Sequence, residues 1–513
     1  MNYFRIIISG IMAIIMSLIL ALVTLLLVYA YYIPWVIFSV IGFCLLIDVV
    51  AAYVVINSKR SVNVKLCWVF FISSFPLIGV FLFCVFGFQP YVMKDLNQYQ
   101  IDWKEFNEKE DYSLTNELVN DPKCELHGVF KYNFHAICTP IYTKNEINLI
   151  TNETDFYNEC LTLIANAKQF IHLQTYIMND GVFFRSLVNK LIPLANRGIE
   201  VSILYDWVGS YGRINHKLIR LMQKSNIKVA IFNPKGINMY KGLTNYRSHQ
   251  KCLIIDNHTV ITGGSNIGDE YIGISDQYVY WRDLNYKISG EIVNSYNLNF
   301  INNWMQLSNG ITRYKDFVPS YGKIWNEVKT TSLMQLVRSG PLCEEKAIEQ
   351  SIINLIQNAK QSIKISSPYF FPSDSIINAL ITKGYSGLNI ELILPRFNNE
   401  KEFVTYINRK HYKKLLDAGI KIYEYQGFIH SKYIIIDNQF VFSGSNNLDY
   451  RSLWINFENA LIIDDCNLAT KLITVFNEDL KHSEVVLTKD LKTFNTYKFR
   501  IINRLVNFFH PLI

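Results

Sequence analysis

The chain carries the same chemical phrase twice. His249, Lys251 and Asp256 form a His-x-Lys-x4-Asp motif followed by Gly263-Gly264-Ser265-Asn266; His430, Lys432 and Asp437 form another followed by Gly444-Ser445-Asn446-Asn447. Asn266 and Asn447 each lie 17 residues beyond their histidine. One such spacing is a weak pattern. Two copies with matched downstream turns predict a single active site built from two halves of a duplicated chain.

The repeat extends past the motifs. Leu163-Ile164-Ala165-Asn166-Ala167-Lys168-Gln169 returns as Leu355-Ile356-Gln357-Asn358-Ala359-Lys360-Gln361, and each copy leads into an apolar strand-like run, 170–176 and 363–369. Gly198-Ile199-Glu200-Val201 is answered by Gly387-Leu388-Asn389-Ile390, and Ile227-Lys228-Val229 by Ile420-Lys421-Ile422. Helical stretches alternate with β-branched strands in both copies, which predicts two tandem α/β units.

A chain of 513 residues accommodates two full cores and an appendage. Its formal charge of +7 is modest for that length and argues against nucleic acid as a partner. The nine cysteines include no CxxC pair, so neither a zinc site nor a disulfide framework is expected. Cys44, Cys67 and Cys84 lie in the apolar segments, and the others, Cys252 among them, read as small buried residues in a reducing compartment.

Three apolar stretches open the chain: residues 6–28, 34–56 with Asp48 as the one charge, and 66–87 without charge. Each is long enough to cross a hydrocarbon core of ~30 Å, which needs about 20 residues of helix. The first is too long for a cleaved signal peptide and has no small-residue cleavage site after it. Arg5, Lys59, Arg60 and Lys65 place the start and the second loop on the cytoplasmic side. Three crossings put the large domains outside; two crossings with a re-entrant third segment keep them inside. Pro76 and the free cysteines favour a multi-pass protein of the cell membrane with its large domains in the cytoplasm.

Residues 91–130 read as a charged linker, 131–315 as the first α/β domain and 316–485 as the second. In the tail, 486–513, Lys498, Arg500 and Arg504 alternate with Ile501, Ile502, Leu505, Val506, Phe508 and Phe509. That pattern suits either a basic amphipathic helix on an anionic membrane or a helix docked on the core.

Paired histidines suit phosphodiester chemistry. A neutral imidazole can attack phosphorus while a second one protonates the departing alcohol and later deprotonates the incoming one. Lysines offer compact charge to the nonbridging oxygens, and Gly-rich turns let backbone N–H groups approach them. No metal or other cofactor is needed for this chemistry. The remaining eight histidines have no repeated counterpart and read as surface or core residues.

The twin motifs resemble the phospholipase D superfamily, and the chain as a whole is similar to bacterial cardiolipin synthases. The resemblance rests on Gly263-Gly264 through Tyr271, Tyr280-Trp281-Arg282-Asp283, Ser367-Pro368-Tyr369-Phe370, the Gly444 to Ser452 string and Asn456-Phe457-Glu458, together with the apolar N-terminus. It implies two phospholipase D-type α/β/α domains sharing one cleft, behind transmembrane helices. It also implies a phosphate pocket of His249, Lys251, Asn266, His430, Lys432, Ser445 and Asn447.

In such proteins a carboxylate on a later strand orients each histidine. Glu458 fits that role in the second half and Asp283 in the first. Asp256 and Asp437 complete the motifs and read as structural supports. Two departures stand out: Gly264 occupies the place of Ser445, and Arg247-Ser248-His249-Gln250-Lys251 differs from the commoner Asn-His-Arg-Lys. Tyr176 and Tyr369, at the ends of equivalent strands, read as core residues rather than lining of a lipid cleft.

The reaction implied is phosphatidyl transfer from one phosphatidylglycerol to another through a phosphohistidine, giving cardiolipin and glycerol. His249 is read as the nucleophile and His430 as the acid/base. Phospholipase D activity, or transfer to another alcohol, is the alternative. A phosphodiester-cutting nuclease and a noncatalytic membrane scaffold fit less well, because of the apolar N-terminus and because both motifs are intact. Phosphatidylglycerol and anionic membrane lipid are the partners expected.

Overall fold

The computed structural model describes residues 34–58, 62–84, 112–121, 127–233, 246–274, 281–307, 332–340, 346–396, 402–494, 496–497 and 499–500. The apolar stretch 6–28, Lys59 and Arg60, most of the charged linker, Tyr280 and nearly all of the basic tail lie outside them. The chain divides into two compact units, Met1–Gln89 and the residues from Pro90 onward.

In the first unit, Pro34–Ile56 is one helix. Its stretch Phe38–Ile56 is long and apolar enough to cross a membrane, and it exposes Phe38, Phe43, Leu45, Leu46 and Val49. A helix apolar on every side is made for lipid or for burial. The third apolar stretch is not one continuous helix but is broken around Pro76, the residue that favoured a re-entrant segment over a third crossing. Helix Val62–Ser74 has 13 residues, roughly 20 Å of rise, and ends before Pro76. Leu77 then turns in the left-handed region, and a short helix, Ile78–Leu82, folds back. Gly79 packs so closely that a Cβ there would lie 2.7 Å from the Ile72 backbone, and Trp68 meets Phe83 edge-on at 5.3 Å. Proline lacks the N–H that would continue the helix, so the break falls where it stands.

The second unit contains the duplication. Its first half contributes strands β1 (Asn145–Ile150), β2 (Phe170–Thr175), β3 (Glu200–Asp206), β4 (Lys228–Phe232), β5 (Cys252–Ile255), β6 (Thr259–Gly263), β7 (Trp281–Arg282) and β8 (Asn285–Gly290). The second contributes β9 (Leu333–Ser339), β10 (Ser362–Ser366), β11 (Phe370–Phe371), β12 (Asn389–Pro395), β13 (Lys421–Tyr425), β14 (Phe428–Ile429), β15 (Tyr433–Ile436), β16 (Phe440–Gly444), β17 (Leu448–Asp449), β18 (Glu458–Asp464) and β19 (Ser483–Val485). The sheets run β1-β8-β6-β5-β2-β3-β4 and β9-β18-β16-β15-β10-β12-β13-β19, so the same order and the same mixture of parallel and antiparallel neighbours occur twice. The central strands are buried on both faces, which explains their unbroken apolar runs.

One apolar cluster joins the two sheets, through Phe170, Leu204 and Phe232 on one side and Ile393, Tyr433 and Phe476 on the other. Each half also has an outer core under its own helices. The helix Gly128–Ile137 departs from the expected boundaries. It buries Val129 and Phe130 in the second half's outer core, and His127 lies 4.5 Å from Phe440. Residues from 127 onward therefore begin on the far half before the chain enters β1. The start of the tail also meets the second half, where Arg409 lies 3.8 Å from the Phe494 ring.

The motif aspartates sit at matched turns. Asp256 and Asp437 both have φ 53 and are followed by left-handed asparagines, residue types that tolerate that region. The Asp256 carboxylate accepts from the backbone N–H groups of Lys168, Gln169 and Phe170 at 2.8 Å each; Asp437 does the same for Lys360, Gln361 and Ser362 at 2.7–2.9 Å. Each clamps its hairpin to the entry of the neighbouring strand. Asp437→Ala should lower unfolding free energy by roughly 3 kcal/mol, from the loss of three charge-assisted bonds on a partly buried group. Denaturant unfolding of the solubilised protein measures it, and a change under about 1 kcal/mol would contradict the clamp.

Candidate active site

Backbone pairing between the halves builds the site. Ser248 bridges Phe457, with His249 N–H donating to Phe457 O at 2.9 Å and Phe457 N–H to Arg247 O at 2.8 Å. The mirror-related contact is β14 running parallel to β7, with His430 N–H donating to Arg282 O at 2.6 Å. Each histidine segment is therefore zipped to the residues just ahead of the other half's acidic strand.

This register crosses the carboxylates. His249 Nδ1 lies 2.9 and 3.1 Å from the two oxygens of Glu458, and His430 Nδ1 lies 2.6 Å from Asp283 Oδ2. The sequence reading assigned one acid to each half; in the structure each acid serves the histidine of the opposite half.

Lys251 Nζ donates to His249 O, and Lys432 Nζ to His430 O, both at 2.5 Å. All six groups are buried and act on one another. Burial, followed by the field of the lysines, lowers the pKa of both histidines, that of His430 to about 4. Burial also lowers Lys251 to about 7 and Lys432 to about 8. For Asp283 and Glu458 burial works upward, but the histidines and lysines outweigh it and both carboxyls fall below their usual range. Between the depressed histidine values and about pH 7 the resting site thus holds two neutral imidazoles, two carboxylates and two ammonium groups, with no net charge. A carboxylate accepting at Nδ1 fixes the proton there and leaves Nε2 as the basic atom.

The Gly264 departure has a steric cause. A Cβ at Gly264 would lie 2.0 Å from Asp283 Oδ1, so a side chain and the buried carboxylate cannot coexist. In the other half the carboxylate is Glu458, one methylene longer, and Ser445 Oγ fits beside it, donating to Oε2 at 2.5 Å. Asn456 Nδ2 adds a 3.3 Å bond to Oε1.

The expected phosphate ligands stand a step behind the histidines. Asn266 Oδ1 accepts from Ile177 N–H at 3.1 Å, while its Nδ2 donates to Tyr271 OH at 2.7 Å. Asn447 is buried, and its side chain bonds Asp449.

The other departure is also accounted for. Gln250 points away from the cleft, where its Oε1 accepts from Gln174, Asn299 and Asn303 at 3.2, 3.0 and 2.7 Å and its Nε2 donates to Glu458 O at 3.3 Å. Ser248 Oγ accepts from Gln174 at 2.8 Å, and Ser248 N–H donates to the buried Asp206 at 3.1 Å. The asparagine-rich helix Ile292–Leu307 supplies Asn299 and Asn303, and β2 supplies Gln174.

Aromatic rings complete the walls. Tyr176 meets His249 edge-on at 5.0 Å with Lys251 Nζ 5.7 Å from its centre, so it lines the cleft rather than the core. Trp281 and Tyr271 flank His430 at 5.0 and 5.8 Å. Sequence reasoning gave neither of these two a role, although both fall within the strings that carry the family resemblance. His172, by contrast, is a core residue stacked on Phe300 at 4.4 Å.

Comparison with known proteins agrees with this geometry. A family model described as "Cardiolipin synthase, PLD-like domain" matches residues 160–302 and 352–480. The major cardiolipin synthase ClsA of Bacillus subtilis is 32% identical over 453 residues, covering 85% of this chain and 91% of that protein. A cardiolipin synthase of Alkalihalophilus pseudofirmus is 30% identical over 464 residues, covering 90% and 89%. Among solved structures, the phosphatidylserine synthase of Haemophilus influenzae Rd KW20 superposes with a TM-score of 0.56 at 16% identity, over 75% of this chain and 97% of that one. At that identity it shows the fold alone.

Proposed function

The chain belongs to the cardiolipin synthase family with phospholipase D-like domains, and on that premise we propose that His249 and His430 carry out cardiolipin synthesis by passing a phosphatidyl group between two phosphatidylglycerol molecules. The observation that carries this reading is the commitment of both Nδ1 atoms to buried carboxylates, which leaves two Nε2 atoms for one phosphate.

His249 Nε2 attacks phosphorus, forming a P–N bond as the P–O bond to glycerol breaks, and His430 gives the leaving oxygen its proton. The glycerol hydroxyl of a second phosphatidylglycerol then loses its proton to His430 and attacks phosphorus, the P–N bond breaks and cardiolipin departs. Lys251 and Lys432 hold the nonbridging oxygens. The resting site is neutral, so an arriving phosphodiester anion favours uptake of one proton. That supplies the acid which His430, with its depressed pKa, lacks in the free enzyme.

In vesicles of labelled phosphatidylglycerol, cardiolipin and glycerol should appear in equal amounts. Phosphatidic acid without cardiolipin would overturn the transfer reading and leave a hydrolase.

The pH profile follows from the same groups. His249 must be neutral to attack, so kcat/KM should rise as pH climbs through its depressed value, below the ordinary histidine range. It should fall as Lys251 and Lys432 lose their protons above about 7 and about 8. The kcat profile should lie to the alkaline side, because bound phosphate stabilises each cation. An acid limb at the ordinary histidine value of ~6.5 would contradict the depression.

A multi-pass anchor with the catalytic unit in the cytoplasm accompanies this reading. Its support is the apolar helix Pro34–Ile56, the stretch 6–28, the basic residues Lys59, Arg60 and Lys65 between the second and third apolar stretches, and the turn-back at Pro76, which suits a re-entrant hairpin.

A further inference from the structure

Beyond the catalytic residues, one surface of the first half combines features that no step of the reaction uses. Residues 207–228 contain no Asp or Glu and five basic residues, Arg213, Lys217, Arg220, Lys224 and Lys228. Lys228 pairs with Glu200 at 2.7 Å, while the first four are exposed. The loop ahead of the helix His216–Lys224 also holds Val208 at 44% exposure and Tyr211 at 52%, with Trp207 against Tyr211 at 4.5 Å. Single exposed apolar residues mean little, but aromatic and basic residues on one acid-free segment match the chemistry of a lipid headgroup layer; Asp180, which accepts from Asn215 at 3.0 Å, is paired with Arg185.

The loop is bound to the site. Asp206 accepts from the N–H groups of Val208 and Gly209 at 2.8 and 3.2 Å with the same carboxylate that holds Ser248, next to His249. Ser210 Oγ donates to Tyr176 O at 3.2 Å and accepts from Met178 N–H at 3.0 Å. A Cβ at Gly209 would lie 2.3 Å from Tyr176 O, so the two backbones are in direct contact. Tyr176 is the ring against His249.

We propose that the loop 207–215 and the helix His216–Lys224 form the face by which the catalytic unit rests on an anionic bilayer, setting the cleft mouth at headgroup depth so that lipid enters without leaving the membrane. Val208 and Tyr211 sit among the headgroups, and Lys217, Arg220 and Lys224 lie over lipid phosphates. The proposal rests on the cardiolipin synthase reading, since it supplies that site with its substrate.

The test uses the full chain in nanodiscs and two independent variants, Val208→Ser/Tyr211→Ser and Lys217→Gln/Arg220→Gln/Lys224→Gln. Cardiolipin formation is measured from phosphatidylglycerol within the disc, and from a short-chain phosphatidylglycerol dissolved as monomers around phosphatidylcholine discs. With each surface charge worth about fivefold, the charge variant should lose at least about tenfold on disc-borne substrate. Both variants should stay within about twofold of wild type on the monomer. Equal loss on both substrates, or no loss on either, overturns the proposal.

Hydrogen exchange gives a readout free of catalysis. Amides of 207–224 in the wild-type chain should be more protected in phosphatidylglycerol discs than in phosphatidylcholine discs, and unchanged protection also overturns it. A wild-type chain that yields phosphatidic acid in both formats would instead sink the synthase reading, with the exchange result still deciding the docking face.

Discussion

Alanine at either His249 or His430 should lower phosphatidyl transfer by at least about 10⁴-fold, and the double variant should be no slower than the worse single one. The expectation follows from both imidazoles acting on one phosphate. Without the nucleophile no P–N bond forms, and without the acid the glycerol oxygen must leave as an alkoxide. Two independent half-sites would behave differently: each single variant would keep about half the activity and only the double would lose it. Rates from labelled phosphatidylglycerol, with circular dichroism to establish folding, separate these outcomes.

The second large effect concerns the carboxylates. Asp283→Asn and Glu458→Gln should each cost roughly 10²- to 10⁴-fold, because the histidine loses both its tautomer control and the charge that stabilises its cation. The grouping is the sharper expectation. With a p-nitrophenyl ester of phosphatidic acid as donor, the leaving group needs no proton, so variants on the acid side recover much of their rate in the first step. Asp283→Asn should recover together with His430→Ala, while Glu458→Gln and His249→Ala stay slow, as judged by the burst of p-nitrophenol. Recovery of Glu458→Gln with His430→Ala would mean that the carboxylates act within their own halves. Recovery of Glu458→Gln with His249→Ala would keep the crossing and exchange the histidines' roles.

Much of this architecture was legible before any coordinates. The strand repeats and the twin motifs follow from local composition and spacing, and the matched sheet order bears the duplication out. The partner of each histidine was not legible, because 209 residues separate His249 from Glu458 and only the docking of the two halves brings them together. Nothing in local periodicity encodes that register. Gly264 looked like a missing hydroxyl; its cause is a carboxylate 19 residues later, visible only once Asp283 is placed. Tyr176 looked like core because a strand-end aromatic reads alike whether it faces a cleft or a neighbour. The third apolar stretch was long enough to span by hydropathy alone, and it was Pro76 that pointed to a break there. The departure at Gln250 was explained only when Asn299 and Asn303 were found donating to it.

The crossed pairing has a bearing on synthesis at the ribosome. His249 is translated long before Glu458, and Asp283 long before His430. A nascent chain that has folded its first sheet therefore displays one imidazole with no carboxylate and one carboxylate with no imidazole. Neither can act on a phosphodiester, even though such a chain already carries its apolar N-terminal segments. Competence arrives in one step, when the last strands dock and both pairs close together. A lipid-cleaving site that matured by halves would threaten the membrane it is inserted into; the interleaving of the two halves makes the enzyme inert until it is finished.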